Sequence, residues 1–181
     1  MLFGAEREAL LTVSHEMNSG LKFKVDAPER VGTDRIANAV AASDLYGTPV
    51  AIVDFGTATT ISVVGREGDF VGGSILPGLR LMNSALDAGT SQLQEVVLEA
   101  PPRALGVDTA GCIRSGLFYG TAGACERILA EIEEETGVDL KLVLTGGYAP
   151  VVGGFLKRTH EINLNLTLEG LRILYGKNRP A

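Results

Sequence analysis

Apolar and polar positions alternate most sharply around residues 50–77. Val50-Ala51-Ile52-Val53 and Ile61-Ser62-Val63-Val64 are apolar runs rich in β-branched residues, and Asp54-Phe55-Gly56-Thr57-Ala58-Thr59-Thr60 lies between them. That pattern predicts two strands joined by a tight turn. Arg66-Glu67-Gly68-Asp69 reads as a second turn and Phe70-Val71 as a third strand, giving an antiparallel meander over about 50–54, 60–65 and 69–73. Gly72-Gly73 and the following Ser74-Ile75-Leu76-Pro77-Gly78 are expected to close it. Upstream, Ile36, Ala39, Val40 and Ser43 recur at helical spacing, with Thr33 or Asp34 as a candidate cap. Short strands are expected at Ala9–Val13 and Leu21–Val25.

Downstream, Leu79–Leu86 predicts a short helix. Residues 87–105 look irregular apart from a strand-like Glu95-Val96-Val97-Leu98. A long helix is expected from Thr109 to about Glu135, with Ile113, Leu117, Gly120, Ala124, Ile128 and Ile132 at its spacing and Gly137 as its stop. Gly116, Gly120 and Gly123 each cost that helix about 1 kcal/mol against alanine, which implies close packing on another helix or subunit. Glu131, Glu133, Glu134 and Glu135 read as a solvated face. Lys141–Leu144 predicts a strand running into Thr145-Gly146-Gly147, followed by a helix from Ala149 and a last amphipathic helix over Asn165–Tyr175.

Composition narrows the class. The 181 residues are 45% hydrophobic and 21% charged, as expected of a globular domain, and 23 glycines imply many tight turns. Net charge is −6 with no basic block, which argues against nucleic-acid binding. No apolar run reaches the roughly 18 residues of a membrane span, and no signal-peptide pattern opens the chain. Cys112 and Cys125 form no metal-binding spacing and are expected to be buried in a reduced, cytoplasmic protein. His15 reads as a solvated connector residue.

Among chemical motifs, Gly32-Thr33-Asp34-Arg35 sets a carboxylate at a helix start, where capping and catalysis are equally good readings. Asp54 to Thr60 places one carboxylate, a glycine and three threonines at a hairpin tip, a setting suited to a phosphate held through a cation. Asp54-Phe55-Gly56 is not a protein-kinase signature, since no glycine-rich loop, lysine strand or His-Arg-Asp loop accompanies it. Asp34 and Asp54 lack any companion feature of a glycosidase pair.

In their order and spacing these stretches, with Gly72–Gly78, Asp108-Thr109, Thr145-Gly146-Gly147 and Asn165–Leu171, resemble the type III pantothenate kinases, relatives of actin and the sugar kinases. The resemblance implies an α/β fold with a ribonuclease-H-like (actin-like ATPase) lobe. Its C-terminal domain, residues 49–181, would be complete, and residues 1–48 would be the remnant of an incomplete N-terminal lobe. It implies transfer of the ATP γ-phosphoryl to pantothenate, the first step of coenzyme A synthesis, in the cytoplasm. Asp34 would be the general base; Gly32, Thr33, Arg35 and Thr109 would line pantothenate. Asp54 would hold potassium or ammonium, Thr57 would touch ATP phosphate, Mg2+ would accompany ATP, and Gly146 and Gly147 would lie near the nucleotide. A homodimer is implied, or a hetero-oligomer with a chain carrying the missing lobe.

This sequence departs from the family in two respects. No Asp-x-Gly-Asn-Thr phosphate motif precedes Asp54, and Val25 stands where the family has a tyrosine, with Ala27-Pro28 for the usual Asn-Pro. A non-catalytic regulatory module on the same fold, like the accessory factors named for effects on transcription, is the second reading.

Overall fold

A computed structural model describes residues 11–179. The elements are β1 (Lys22–Phe23), α1 (Thr33–Tyr46), β2 (Val50–Phe55), β3 (Ala58–Val64), β4 (Asp69–Pro77), α2 (Leu79–Gly89), α3 (Thr109–Thr136), β5 (Lys141–Thr145), α4 (Ala149–Gly153), β6 (Glu161–Ile162) and α5 (Leu166–Asn178), with one 3-10 turn at Pro28–Arg30. They build a mixed α/β fold around one six-stranded sheet of order β1-β4-β3-β2-β5-β6. β2, β3 and β4 pair antiparallel, and β5 lies parallel to β2.

Strand alternation sorts the core into two layers. Ala51, Val53 and Phe55 of β2 pack with Ile113, Leu117, Phe118 and Leu129 of α3 on one face. Val50 and Ile52 pack with Ala39, Ala41 and Ala42 of α1 and Leu166 of α5 on the other. Asp54 shares the parity of Val50 and Ile52, so it points to the α1 side at the C-terminal end of its strand.

Several expectations change. β4 continues through Gly72-Gly73 to Pro77, because a bulge absorbs the irregularity: Val63 pairs with Gly72 and Val64 with Phe70, leaving Val71 over. Residues 11–13 are not a strand, and the rest of the segment expected there, residues 9–10, lies outside the described residues. β6 is an additional edge strand of two residues. Glu95–Leu98 joins no sheet; the Asn83 side chain of α2 takes the place of a strand partner, accepting from Val96 N–H at 3.2 Å and donating to its carbonyl at 2.8 Å. α1 starts at Gly32 without a side-chain cap, so neither Thr33 nor Asp34 has that role. α3 is capped by Asp108, whose carboxylate accepts from Gly111 N–H at 2.7 Å. His15 is half-buried, edge-on to Phe23. Cys125 is buried, whereas Cys112 is exposed on the side of α3 turned away from the sheet.

Glu133 is not merely solvated. Arg158 donates to both its oxygens, at 3.0 and 2.5 Å, and Leu140 N–H donates to it at 2.8 Å, which clips the end of α3 to the strand that follows. The Arg158 hydrogen bonds, with the Leu140 N–H and the guanidinium charge adding to them, hold the Glu133 carboxyl below its ordinary range against a partial desolvation. A depressed pKa stabilises the fold above the unfolded value of about 4.3 and loses that contribution as pH falls through the lower folded value. Glu133→Gln is expected to cost roughly 1 kcal/mol at pH 7 and to lose its difference from wild type in acid, read from urea midpoints between pH 7 and pH 3.

Candidate functional site

Two sides of one strand end carry the candidate chemistry. On the α1 side, Asp54 Oδ2 accepts from Asn38 Nδ2 at 3.1 Å, and Asn38 Oδ1 accepts from the Thr167 hydroxyl at 2.7 Å. Asn38 is buried, so helix α1, strand β2 and helix α5 meet through one amide whose two ends are both satisfied. Asp54 is half-buried. Burial pushes its carboxyl up from the ordinary value, the Asn38 hydrogen bond opposes this, and the Asp34 carboxylate nearby adds to the rise. Asp34 itself is exposed at the second residue of α1, with Oδ1 accepting from Arg35 N–H at 2.9 Å. Of the two carboxylates, Asp34 is accessible and Asp54 is held by Asn38.

Arg35 turns away from open solvent. Its Nε donates to Ser62 Oγ at 2.9 Å and its guanidinium lies 5.3 Å from the Phe70 ring centre, with burial lowering its pKa against the pull of Asp34. Gly32 precedes Asp34 closely enough that a side chain there would meet the carboxylate, and Thr33 is exposed on the first turn.

On the α2 side lies a cleft of about 400 Å³ lined by Gly56, Thr57, Arg80, Leu81, Gly147 and Tyr148, among others. It opens where the parallel strands β2 and β5 end, the position at which open α/β sheets take ligands. Gly78 N–H donates to the Thr57 carbonyl at 3.2 Å, which seats the first turn of α2 on the hairpin tip. Gly146 separates the two sides. Its φ is +89°, and a Cβ there would stand 2.7 Å from Phe55 backbone atoms and against Asp54 Oδ1. The adjacent Gly147 has open space where a side chain would be.

Of the residues expected at a site, Asp34, Asp54 and Arg35 come together on the α1 side, and Thr57 and Gly147 on the α2 side. Thr109 lies elsewhere, in a groove of about 290 Å³ with Gln92, Gln94 and Ile113. Asn38, Thr167, Arg80 and Tyr148 were not singled out in the sequence. Thr167 lies inside the quoted Asn165–Leu171 stretch and Asn38 three residues beyond Gly32-Thr33-Asp34-Arg35; the signal for Arg80 would have been its place two residues after Gly78.

Asp54 offers one carboxylate that a cation could take as a ligand. One half-buried carboxylate has a neutral amide partner and pairs with no basic side chain among the described residues. Among the described residues no group of three or more His, Cys, Asp or Glu is placed to hold a metal ion.

The type III pantothenate kinase profile matches residues 4–131. The type III pantothenate kinase of Acidobacterium capsulatum is 42% identical over 91% of this chain and 61% of its own length. Those of Moorella thermoacetica and Listeria monocytogenes are 39% and 40% identical over 93% and 94% of this chain, and 66% of theirs. A solved structure of a conserved Baf family transcriptional activator from Campylobacter jejuni superposes with a TM-score of 0.65 over 88% of this chain and 70% of its own, at 21% identity. That last likeness concerns the fold alone. The fold is a mixed α/β one around a six-stranded sheet. The chain belongs to the type III pantothenate kinase family. It spans slightly less than two thirds of the length of these curated relatives.

Proposed function

We propose that this chain is the pantothenate- and cation-binding part of an ATP-dependent pantothenate kinase, on a ribonuclease-H-like lobe. Membership of the family supports the reaction, and the sheet order β4-β3-β2-β5-β6, an antiparallel meander beside parallel strands, supports the lobe. The observation that carries the assignment of roles is the pair Asp34 and Asp54, one accessible and one fixed through Asn38.

In this reading Asp34 accepts the proton of the pantothenate hydroxyl as it attacks, since an exposed carboxylate at a helix start can come within hydrogen-bond reach of that oxygen. Gly32, Thr33 and Arg35 form the acceptor side, and Thr109 supplies its contact from another copy of the chain. Arg35, pinned by Ser62 and Phe70, fixes the register of the first turn of α1. Thr57 and Gly147 border the phosphates and nucleoside of Mg-ATP in the cleft. Asp54 holds potassium or ammonium, which supplies positive charge beside the transferring phosphoryl group. Phosphoryl transfer of this kind depends on positioning and charge stabilisation. The first phosphate hairpin, which the relatives' additional length can accommodate, is contributed by polypeptide other than residues 11–179.

Calorimetric titration of the chain with pantothenate, and with Mg-ATP in potassium and in sodium, tests the reading, followed by a coupled ADP-release assay. Binding of both ligands, with ATP favouring potassium, is expected; absence of binding by either ligand sinks it. Strong turnover by the 181 residues alone would remove the need for a second hairpin. Asp54→Asn is expected to erase the potassium preference yet to raise the melting temperature. A carboxyl whose folded pKa is raised weakens the fold as pH climbs past its unfolded value, and a neutral amide lifts that burden.

A further inference from the structure

The nucleotide cleft has one basic wall. Among its lining residues only Arg80 is charged. Arg80 takes part in no ion pair or side-chain hydrogen bond among the described residues. Arg114, Arg158, Arg172 and Arg35 are committed, to Glu99, Glu133, Glu169 and Ser62; Arg30, Arg66 and Arg103 are as unpaired among the described residues as Arg80, but none of them lines the cleft. Nor does Arg80 serve its own helix, since a cation in the first turn opposes the helix dipole.

We propose that Arg80 binds the polyphosphate chain of the nucleotide in this cleft and is what makes the cleft prefer a nucleoside polyphosphate to a nucleoside. The inference rests on the nucleotide reading above and adds a residue to it. Charge balance argues for it. A polyphosphate brought to this strand end approaches Asp34 and Asp54 in a chain of net charge −6, so an unopposed polyanion would be repelled. A guanidinium offers a planar fork to two phosphate oxygens at once, where an ammonium offers a point charge. Placement argues for it as well. The seat of Gly78 on the Thr57 carbonyl holds the first turn of α2, which carries Arg80, against the hairpin tip that carries Thr57. Tyr148, half-buried, also lines the cleft and offers an aromatic face on which a base or ribose can rest.

The test is calorimetry on the full chain with ATP, ADP, AMP and adenosine, magnesium and potassium held constant, for wild type, Arg80→Gln, Arg80→Lys and Arg66→Gln. Arg66 lies in the β3–β4 turn and controls for net charge. Arg80→Gln is expected to weaken ATP about tenfold or more and adenosine less than twofold, and to flatten the salt dependence of ATP binding. Arg80→Lys should fall between, and Arg66→Gln should match wild type. Thermal melting of each variant verifies that it is folded. Equal weakening of ATP and adenosine by Arg80→Gln would assign the residue to the base and overturn the proposal. So would unchanged ATP affinity. Failure of the wild type to bind any nucleotide would overturn the nucleotide reading itself, and this inference with it.

Discussion

Gly170→Ala is expected to destabilise the chain by about 3 kcal/mol or more, a large part of the roughly 5–15 kcal/mol that holds a domain of this size. A Cβ at Gly170 would stand 2.5 Å from the carbonyl carbon and 2.9 Å from the Cα of Ala37, and closer still to the carbonyl oxygen. These are backbone atoms inside α1, so no side-chain rotation relieves the overlap. Relief requires α5 to lift from α1, which exposes Leu166 and Leu174 and separates Thr167 from Asn38. Gly176→Ala on the same helix is the control. Nothing lies within 4 Å of its added carbon, so it should stabilise by about 1 kcal/mol through helix propensity. Urea unfolding of both variants measures the contrast. Equal midpoints would mean that the α1–α5 contact gives way easily.

The second large effect falls on activity. In an assembly competent for turnover, Asp34→Asn is expected to lower kcat about 10²–10⁴-fold with little change in pantothenate affinity. The amide oxygen still accepts from Arg35 N–H, so the first turn of α1 keeps its form. What disappears is the capacity to take a proton. Turnover measured beside calorimetric affinity separates the two contributions. A variant that kept its kcat would move the base elsewhere, whereas one that lost binding and rate together would give Asp34 a ground-state role.

The local patterns were legible in the sequence. The meander, the span of α3 and the stop at Gly137 follow from period and turn chemistry within a few residues of chain. What escaped depends on residues far apart. Glu133 looked like one acid in a charged run because its partner, Arg158, is 25 residues away. Glu95–Leu98 has the composition of a strand, yet its backbone found a side-chain amide first. Asp34 has the identity of a capping residue but sits two positions past the N-cap, Gly32, too deep in the helix to be one. At the site, Asp34 and Asp54 could be named from their motifs, whereas Asn38, which fixes Asp54, and Arg80, which faces the cleft, owe their roles to helices docked on strands. Thr109, expected to line pantothenate with Gly32, Thr33 and Arg35, lies in a groove of its own with Gln92, Gln94 and Ile113.

The contact between Asn38 and Thr167 also bears on synthesis. The two residues are 129 positions apart, and Thr167 belongs to the last helix. During translation, at roughly 5–20 residues per second, the meander and α1 emerge many seconds before the hydroxyl that completes the Asn38 amide. The sheet can therefore assemble around an Asp54 whose supporting amide still lacks one partner. A polypeptide released early, short of α5, would have all six of the described strands and lack the hydroxyl that braces the Asn38 amide, so the Asp54 carboxylate is steadied only after the sheet that carries it has been made.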